Sequence, residues 1–209
     1  MEKKKINHYE TANIAVNAVI FIIKDQKLWV YLSTREKAPF QNLLELPGGL
    51  LQPKETAEIT LARKLKDITG VKNHFFQQFH TFTNPNRDPR SRIISIGFIA
   101  LLAYDKVSNL KDFHQIDALP KLAFDHKEII DRAIKYLKLN IDSQFVDQLM
   151  PNSFPLNDLQ IVYEVIEGKK LDNRNFRKKI LNSGLIQKAK IVQKNVNHRP
   201  ASLYQFIKS

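Results

Sequence analysis

The period of the apolar positions changes along the chain, and each change marks an element. Residues 12–23, rich in Val, Ile and Phe, predict a strand. Lys24-Asp25-Gln26-Lys27 reads as a turn, and residues 28–34 alternate as the hairpin partner. A loop over residues 37–44 carries Pro39 and Phe40. After Leu46-Pro47-Gly48-Gly49 the period becomes helical. Leu61, Leu65 and Ile68 fall at i, i+4, i+7, with Thr56 suited to the N-cap and Gly70 to the C-terminal stop. Residues 74–83 and 93–104 predict two more strands around a turn-rich loop at 84–92. Ile130, Ala133, Ile134 and Leu137 give a second helix its apolar face, and residues 117–126 introduce it. His126, at that helix start, reads as a cap or packing group. A short apolar patch at 145–149 and Pro151 then mark a boundary, giving domains of residues 1–145 and 146–209.

The second segment has its own grammar. Leu159, Val162, Tyr163 and Ile166 form one stripe, and Gly168 stops that helix. Asp172 caps a second helix over residues 173–182, stopped by Gly184, with Phe176 and Ile180 facing inward. Arg174 and Lys178 occupy the opposite face, flanked by Asn175 and Arg177. Two strand-like runs follow, 185–192 and 201–207. Helix, short turn, basic helix and β-hairpin make a winged helix-turn-helix. A helix presenting Arg, Lys and Asn suits the major groove, where Arg reads guanine and Asn reads adenine. Arg199, at the expected wing tip, suits a phosphate or the minor groove.

Charge sharpens this division. The 209 residues carry a formal net charge of +12. Residues 151–209 hold 11 Lys+Arg against 4 Asp+Glu, and residues 1–150 hold 22 against 17. The last quarter therefore carries most of the excess: charge alone favours a solvated basic surface, and together with the folding signals it fits nucleic acid as a partner. The 43% hydrophobic content supports real cores. The absence of cysteine excludes disulfides and thiolate metal sites and suits a reducing cytosol. No apolar run reaches the length of a membrane span, and Met1–Glu10 lacks the apolar region of a signal peptide. A cytoplasmic protein with no membrane partner is expected.

The stretch from Leu46 to Val71 carries the most specific spacing. Five residues separate Gly49 from Glu55, seven separate Glu55 from Arg63, and Leu65 and Gly70-Val71 follow. This resembles the Nudix box, G-x5-E-x7-R-E-U-x-E-E-x-G-U with U a bulky apolar residue. The acidic positions depart from it. Lys64 stands where the box has its first Glu after Arg, and Asp67-Ile68 replaces the Glu-Glu pair. Positions 64, 67 and 68 share a helical face. In Nudix hydrolases such a face holds Mg²⁺, which needs hard oxygen donors in octahedral geometry. Lys64 repels that ion and Ile68 cannot bind it, so a Nudix fold without most of its hydrolytic equipment is expected.

Five stretches in order resemble the Nudix-related transcriptional regulator (NrtR) family. They are Leu-Pro-Gly-Gly with Glu55 and Arg63, the Arg-Asp-Pro-Arg-x-Arg loop at 87–92, Leu-Ala-Phe-Asp-His at 122–126, Asn-Phe-Arg-Lys-Lys at 175–179 and Arg-Pro-Ala-Ser-Leu-Tyr at 199–204. Ser91 departs where glycine is the expected residue. The resemblance implies an α+β protein: an N-terminal Nudix αβα sandwich with a mixed sheet, followed by a small winged helix-turn-helix domain. It implies a homodimeric repressor that binds double-stranded operator DNA and senses ADP-ribose or a related nucleotide or sugar metabolite, with control of NAD metabolism common in the family. Neither a cofactor nor a catalytic or metal-binding residue is expected. The expected ligand-binding residues are Arg35, Gly49, Glu55, Arg63, Arg87 and Arg92. The expected DNA-binding residues are Asn173, Arg174, Asn175, Arg177, Lys178 and Arg199. In the 84–92 loop, Arg87, Arg90 and Arg92 suit a diphosphate, which guanidinium binds bidentately, and a solvated hairpin tip is the competing reading. For the whole chain, it is an active Nudix hydrolase cleaving ADP-ribose-like diphosphates.

Overall fold

Strand β1 (Asn13–Lys24) is the axis of the N-terminal half, because both of its faces are covered. Its even positions, Val16, Ala18, Ile20 and Ile22, enter one core, and its odd positions, Val19, Phe21 and Ile23, enter another. That double burial explains a continuous apolar run in place of alternation. The computed structural model describes residues 11–69, 75–107, 109–141, 143–190 and 202–207. A two-residue turn at Asp25 and Gln26, both with positive φ, returns the chain into β2 (Lys27–Tyr31). Such primed turns match the right-handed twist of a hairpin.

The expected partner strand over 28–34 is interrupted. Buried Leu32 donates its N–H to Asp112 O, and the chain resumes as β3 (Ser33–Thr34) against β4 (Leu44–Glu45). β5 (Gly48–Leu50) then pairs antiparallel with β1 and leads to α1 (Ala57–Thr69). β6 (Phe75–Phe82), β7 (Ile93–Leu101) and β8 (Phe113–Gln115) complete the sheet in the order β6-β7-β1-β2-β8. β1 runs parallel to β7 and antiparallel to β2, so the sheet is mixed as expected. The strand predicted over 93–104 ends three residues early, where Tyr104–Lys106 turns into a 3₁₀ helix. Leu61 and Leu65 of α1 close one face of the sheet, and α2 (His126–Leu139) closes the other through Ile129, Ile130, Ala133 and Leu137. This is the αβα sandwich.

α3 (Ser143–Leu149) carries the chain into the second half. A cut between residues 145 and 146 would fall inside this helix. Phe145, Val146 and Leu149 pack in the α2-side core of the sandwich, and so do Phe154, Leu159, Ile166, Phe176 and Phe206 from further along. The second half comprises β9 (Phe154–Pro155), α4 (Leu156–Glu167), α5 (Asn173–Asn182), β10 (Ile186–Lys188) and β11 (Leu203–Phe206). Its strands lie in the order β10-β11-β9, an antiparallel sheet beside the two helices. β9, two residues long with a proline, was not foreseen in the sequence pattern.

Candidate ligand cleft and nucleic-acid interface

A cleft of about 470 Å³ opens between the β5 loop, α1 and the start of α2. Gly48 sets its floor. A Cβ there would fall 2.3 Å from Val16 O, so only glycine lets β5 lie against β1. Gly49 faces the cleft with open space around it, the nearest side chain being Lys64 with Cε 3.5 Å from where a Cβ would sit. The opposite wall arrives from far along the chain. Ala123 donates its N–H to Leu44 O at 2.9 Å, which draws Phe124 and His126 to the cleft.

The arginines of this wall are held in pairs. Arg35 bonds Glu45 at 2.8 Å and Arg87 bonds Asp125 through two nitrogens at 2.8 and 2.7 Å. Arg90 bonds Asp88 at 2.9 and 2.6 Å. Burial opposes ionisation of Asp88, yet the Arg90 side chain and backbone N–H outweigh it and hold the carboxyl below its ordinary range. The Arg35 and Arg90 guanidiniums lie over the Phe124 ring, 4.7 and 5.3 Å from its centroid. Phe124 has φ of 50°, a left-handed conformation that costs a bulky residue on the order of 1–3 kcal/mol and that gathers at functional sites. Arg87 is 8% exposed and Asp88 6%, so this part of the loop is not a solvated hairpin tip.

His126 pins the cleft from behind. Its Nδ1 accepts from Leu46 N–H at 2.9 Å, and the Asn17 amide lies 3.4 Å from Nε2. Ser95 Oγ donates to Asn17 Oδ1 at 2.7 Å, so buried polar groups of β1 and β7 stand beside the ring. Burial, reinforced by Arg87 and Arg35, lowers the His126 pKa to about 3, so the ring is neutral and free to accept. The expected packing role is therefore refined: His126 fixes the start of the Leu-Pro-Gly-Gly loop.

Of the six expected ligand residues, Arg35, Gly49 and Arg87 line this cleft. The other three stand off it. Glu55 is turned to Arg63, which donates at 2.9 and 3.3 Å, and to Thr60 Oγ1 at 2.8 Å. The Arg63 hydrogen bond, then that from Thr60, lowers the Glu55 pKa. Arg92 donates to Thr83 O and braces the base of its own loop. Lys64, Arg90, Phe124 and His126 line the cleft as well, and of these the sequence pointed only to Arg90 and Lys64 as charges for a diphosphate. Phe124 and His126 carried no such signal in the sequence.

The basic helix stands in the second half. Its core face is Phe176 and Ile180, both buried, and Arg174, Asn175 and Lys178 are exposed. Asp172 caps it, accepting from Asn175 N–H at 2.8 Å. Replacing Asp172 by Ala should cost about 1 kcal/mol. A melting temperature unchanged from the parent's would refute that role. The turn before α5 is stapled by Glu164, 9% exposed, which accepts from Lys170 Nζ at 2.7 Å, Gln160 Nε2 at 2.9 Å and Leu171 N–H at 3.0 Å. Lys170 first, then Leu171 and Gln160, hold its carboxyl down to about 2. Two expected DNA contacts are partly engaged inside the protein: Asn173 donates to Gln160 Oε1, and Arg177 donates to Asn157 Oδ1 at the start of α4, both at 2.8 Å. Arg199 lies outside the described residues, as do Gly70 and Val71 of the box.

The profile of the NUDIX domain matches residues 13–138. The chain belongs to the Nudix family. The profile of the NrtR DNA-binding winged helix domain matches residues 146–206, so a Nudix domain and an NrtR-type winged helix stand in one chain. Three relatives frame this arrangement. The ADPR responsive transcriptional repressor NtrR of Acinetobacter baylyi is 28% identical over 211 residues, spanning 95% of this chain and 83% of that protein. Shewanella oneidensis NrtR complexed with a 27mer DNA is 29% identical with a TM-score of 0.78, over 93% of each chain. The NUDIX domain of that same Shewanella protein, complexed with ADP-ribose, is 31% identical with a TM-score of 0.52, over 62% of this chain and 90% of that one. The ADP-ribose pyrophosphatase of Methanocaldococcus jannaschii is 36% identical over 133 residues, 61% of this chain and 76% of that protein.

Nudix hydrolysis calls for Mg²⁺ on the box helix, and the donors here do not fit that ion. Among the described residues no three His, Asp or Glu side chains converge. The 64, 67, 68 face does line the cleft, as its spacing predicts, but it offers an ammonium, one carboxylate and a hydrocarbon. Glu45 and Asp88, the other carboxylates in the cleft wall, are engaged by Arg35 and Arg90.

Proposed function

We propose that this protein is a cytoplasmic transcriptional repressor that binds a two-fold operator as a homodimer and is released by ADP-ribose or a related diphosphate metabolite. The observation that carries the reading is the junction. The Arg174–Lys178 face of α5 rests on Phe176 and Ile180, which belong to the same apolar core as Leu46 of the cleft wall. This continuous packing supports a route from the cleft to α5, and the coupling along it is what the ligand titration below measures. The Acinetobacter repressor and the two Shewanella complexes support both halves of the reading. ADP-ribose is what NAD leaves when nicotinamide departs, so the regulated genes are expected to bear on NAD metabolism. Arg35, Arg87, Arg90 and the bare Gly49 are the proposed ligand contacts, with Phe124 added by the geometry.

The competing reading is hydrolysis, favoured by the Methanocaldococcus pyrophosphatase. Lys64 and Ile68 weigh against it.

One experiment separates the two. A duplex selected from a random pool is bound to the protein, light scattering counts the copies, and ADP-ribose is titrated in. Two copies and release of the DNA are expected, with a coupling of about 5–150-fold. Full occupancy of the duplex at saturating ligand would rule out ADP-ribose as effector. The same mixture with Mg²⁺ is assayed for AMP, and turnover near an ordinary enzyme's rate of about 10 per second would instead establish the hydrolase.

A further inference from the structure

We infer that Lys64 takes the place of the metal as the diphosphate counter-charge, so that this cleft binds a pyrophosphoryl group without a divalent cation. The inference rests on the diphosphate reading of the cleft above. Four cations line the cleft: Arg35, Lys64, Arg87 and Arg90. Each arginine already answers a carboxylate, at 2.8 Å from Glu45, 2.7 Å from Asp125 and 2.6 Å from Asp88. Among the described residues, no carboxylate lies within 4.0 Å of the Lys64 ammonium. It is half-buried on the cleft face of α1, with its chain end packed toward Gly49.

Geometry favours Lys64 over its neighbours. Arg63 is tied to Glu55 and stands off the cleft, and Lys66 is exposed on another face of α1. Gly49 presents bare backbone opposite Lys64, so a ligand oxygen can approach main chain and ammonium together. An ammonium is a compact point charge with three donors, suited to several phosphate oxygens at once. Mg²⁺ would have to share this volume with that charge at a few ångströms, in a site with a single unengaged carboxylate, Asp67. The substitution that removes the hydrolytic donors thus leaves a fixed cation behind.

The test is calorimetric titration of the full chain with ADP-ribose and, separately, with inorganic pyrophosphate. Each is run in EDTA and in excess Mg²⁺. Binding of equal strength in both media is expected. Lys64→Met should weaken both probes by about ten- to a hundredfold, as loss of one charge-assisted contact implies. Lys64→Arg should retain most of the affinity, and Lys66→Met should change it little. The double variant Lys64→Glu with Ile68→Glu should bind only when Mg²⁺ is present. Wild-type affinity that collapses in EDTA, or a Lys64→Met protein that binds as the parent does, would overturn the inference. The two probes separate this idea from the effector assignment. If pyrophosphate binds in EDTA through Lys64 while ADP-ribose does not bind, the effector reading fails and this one stands. If neither binds, this one fails as well.

Discussion

Replacing both Arg174 and Lys178 by alanine is expected to abolish sequence-specific DNA binding while leaving the fold intact. The two side chains lie one helical turn apart on α5, exposed, and opposite the buried Phe176 and Ile180. A guanidinium reading a guanine contributes about 1–3 kcal/mol of discrimination, and a phosphate-bound ammonium adds a sequence-independent share that salt screens. The pair should therefore cost roughly 2–4 kcal/mol for each half of the operator. Lys178→Ala alone should weaken all sequences alike and flatten the salt dependence. Asn173→Ala should behave differently. It removes the 2.8 Å bond to Gln160 that holds the turn before α5, so its effect should include a lower melting temperature. Fluorescence anisotropy on a selected duplex across a salt series measures the first effect. Operator affinity preserved in the double variant would remove α5 from the interface.

Acid should unfold the protein through His126. The folded state holds this ring neutral down to about pH 3, whereas in the unfolded chain it protonates near its ordinary value of 6.5. Between those values the unfolded state binds the extra proton, so stability falls as pH falls. The full effect is on the order of 5 kcal/mol, with about 2–3 kcal/mol already lost by pH 4.5. A proton on Nδ1 would also face Leu46 N–H, which breaks the bond that anchors the cleft loop. Urea midpoints at pH 7 and pH 4.5 measure the loss. The His126→Gln variant should start lower at pH 7, by about 1–3 kcal/mol for the disturbed bond, and then lose much less on acidification. Equal pH dependence in parent and variant would assign the acid sensitivity to the carboxylates instead.

The order of elements was legible because each local signal agreed with the fold. β1 is apolar on both faces, α1 carries a helical stripe, and α5 has both its cap, Asp172, and its stop at Gly184, where φ is +71°. The αβα layering and the winged helix follow from those signals and the two resemblances. β9 was not legible, since two residues cannot show an alternation and Pro155 argues against a strand away from a sheet edge. The cleft was half legible. Spacing alone puts residues 64, 67 and 68 on one face, and they do line it. Spacing cannot reveal that Arg87 is neutralised by Asp125, because 38 residues separate them. Nor does it reveal that Glu55, just before α1, engages Arg63 within it. Phe124 and His126 were equally hidden, for their place in the cleft depends on Ala123 reaching Leu44 across the chain.

The apolar interior runs without a break from Val19 and Phe21 under the sheet, through Leu137, Phe145 and Leu149, to Leu159, Phe176 and Phe206. The two halves are accordingly expected to melt together, and calorimetry should record one endotherm for the whole chain. A protease acting between α2 and α3 would then liberate no stable half, because each fragment would expose the surface the other covers. Metabolite held in the cleft protects distant α5 from unfolding by mass action alone, by about 2.7 kcal/mol at a hundred times its dissociation constant. With the proposed effector, the lifetime of this protein in a cell would follow the supply of that small molecule, quite apart from any effect on DNA.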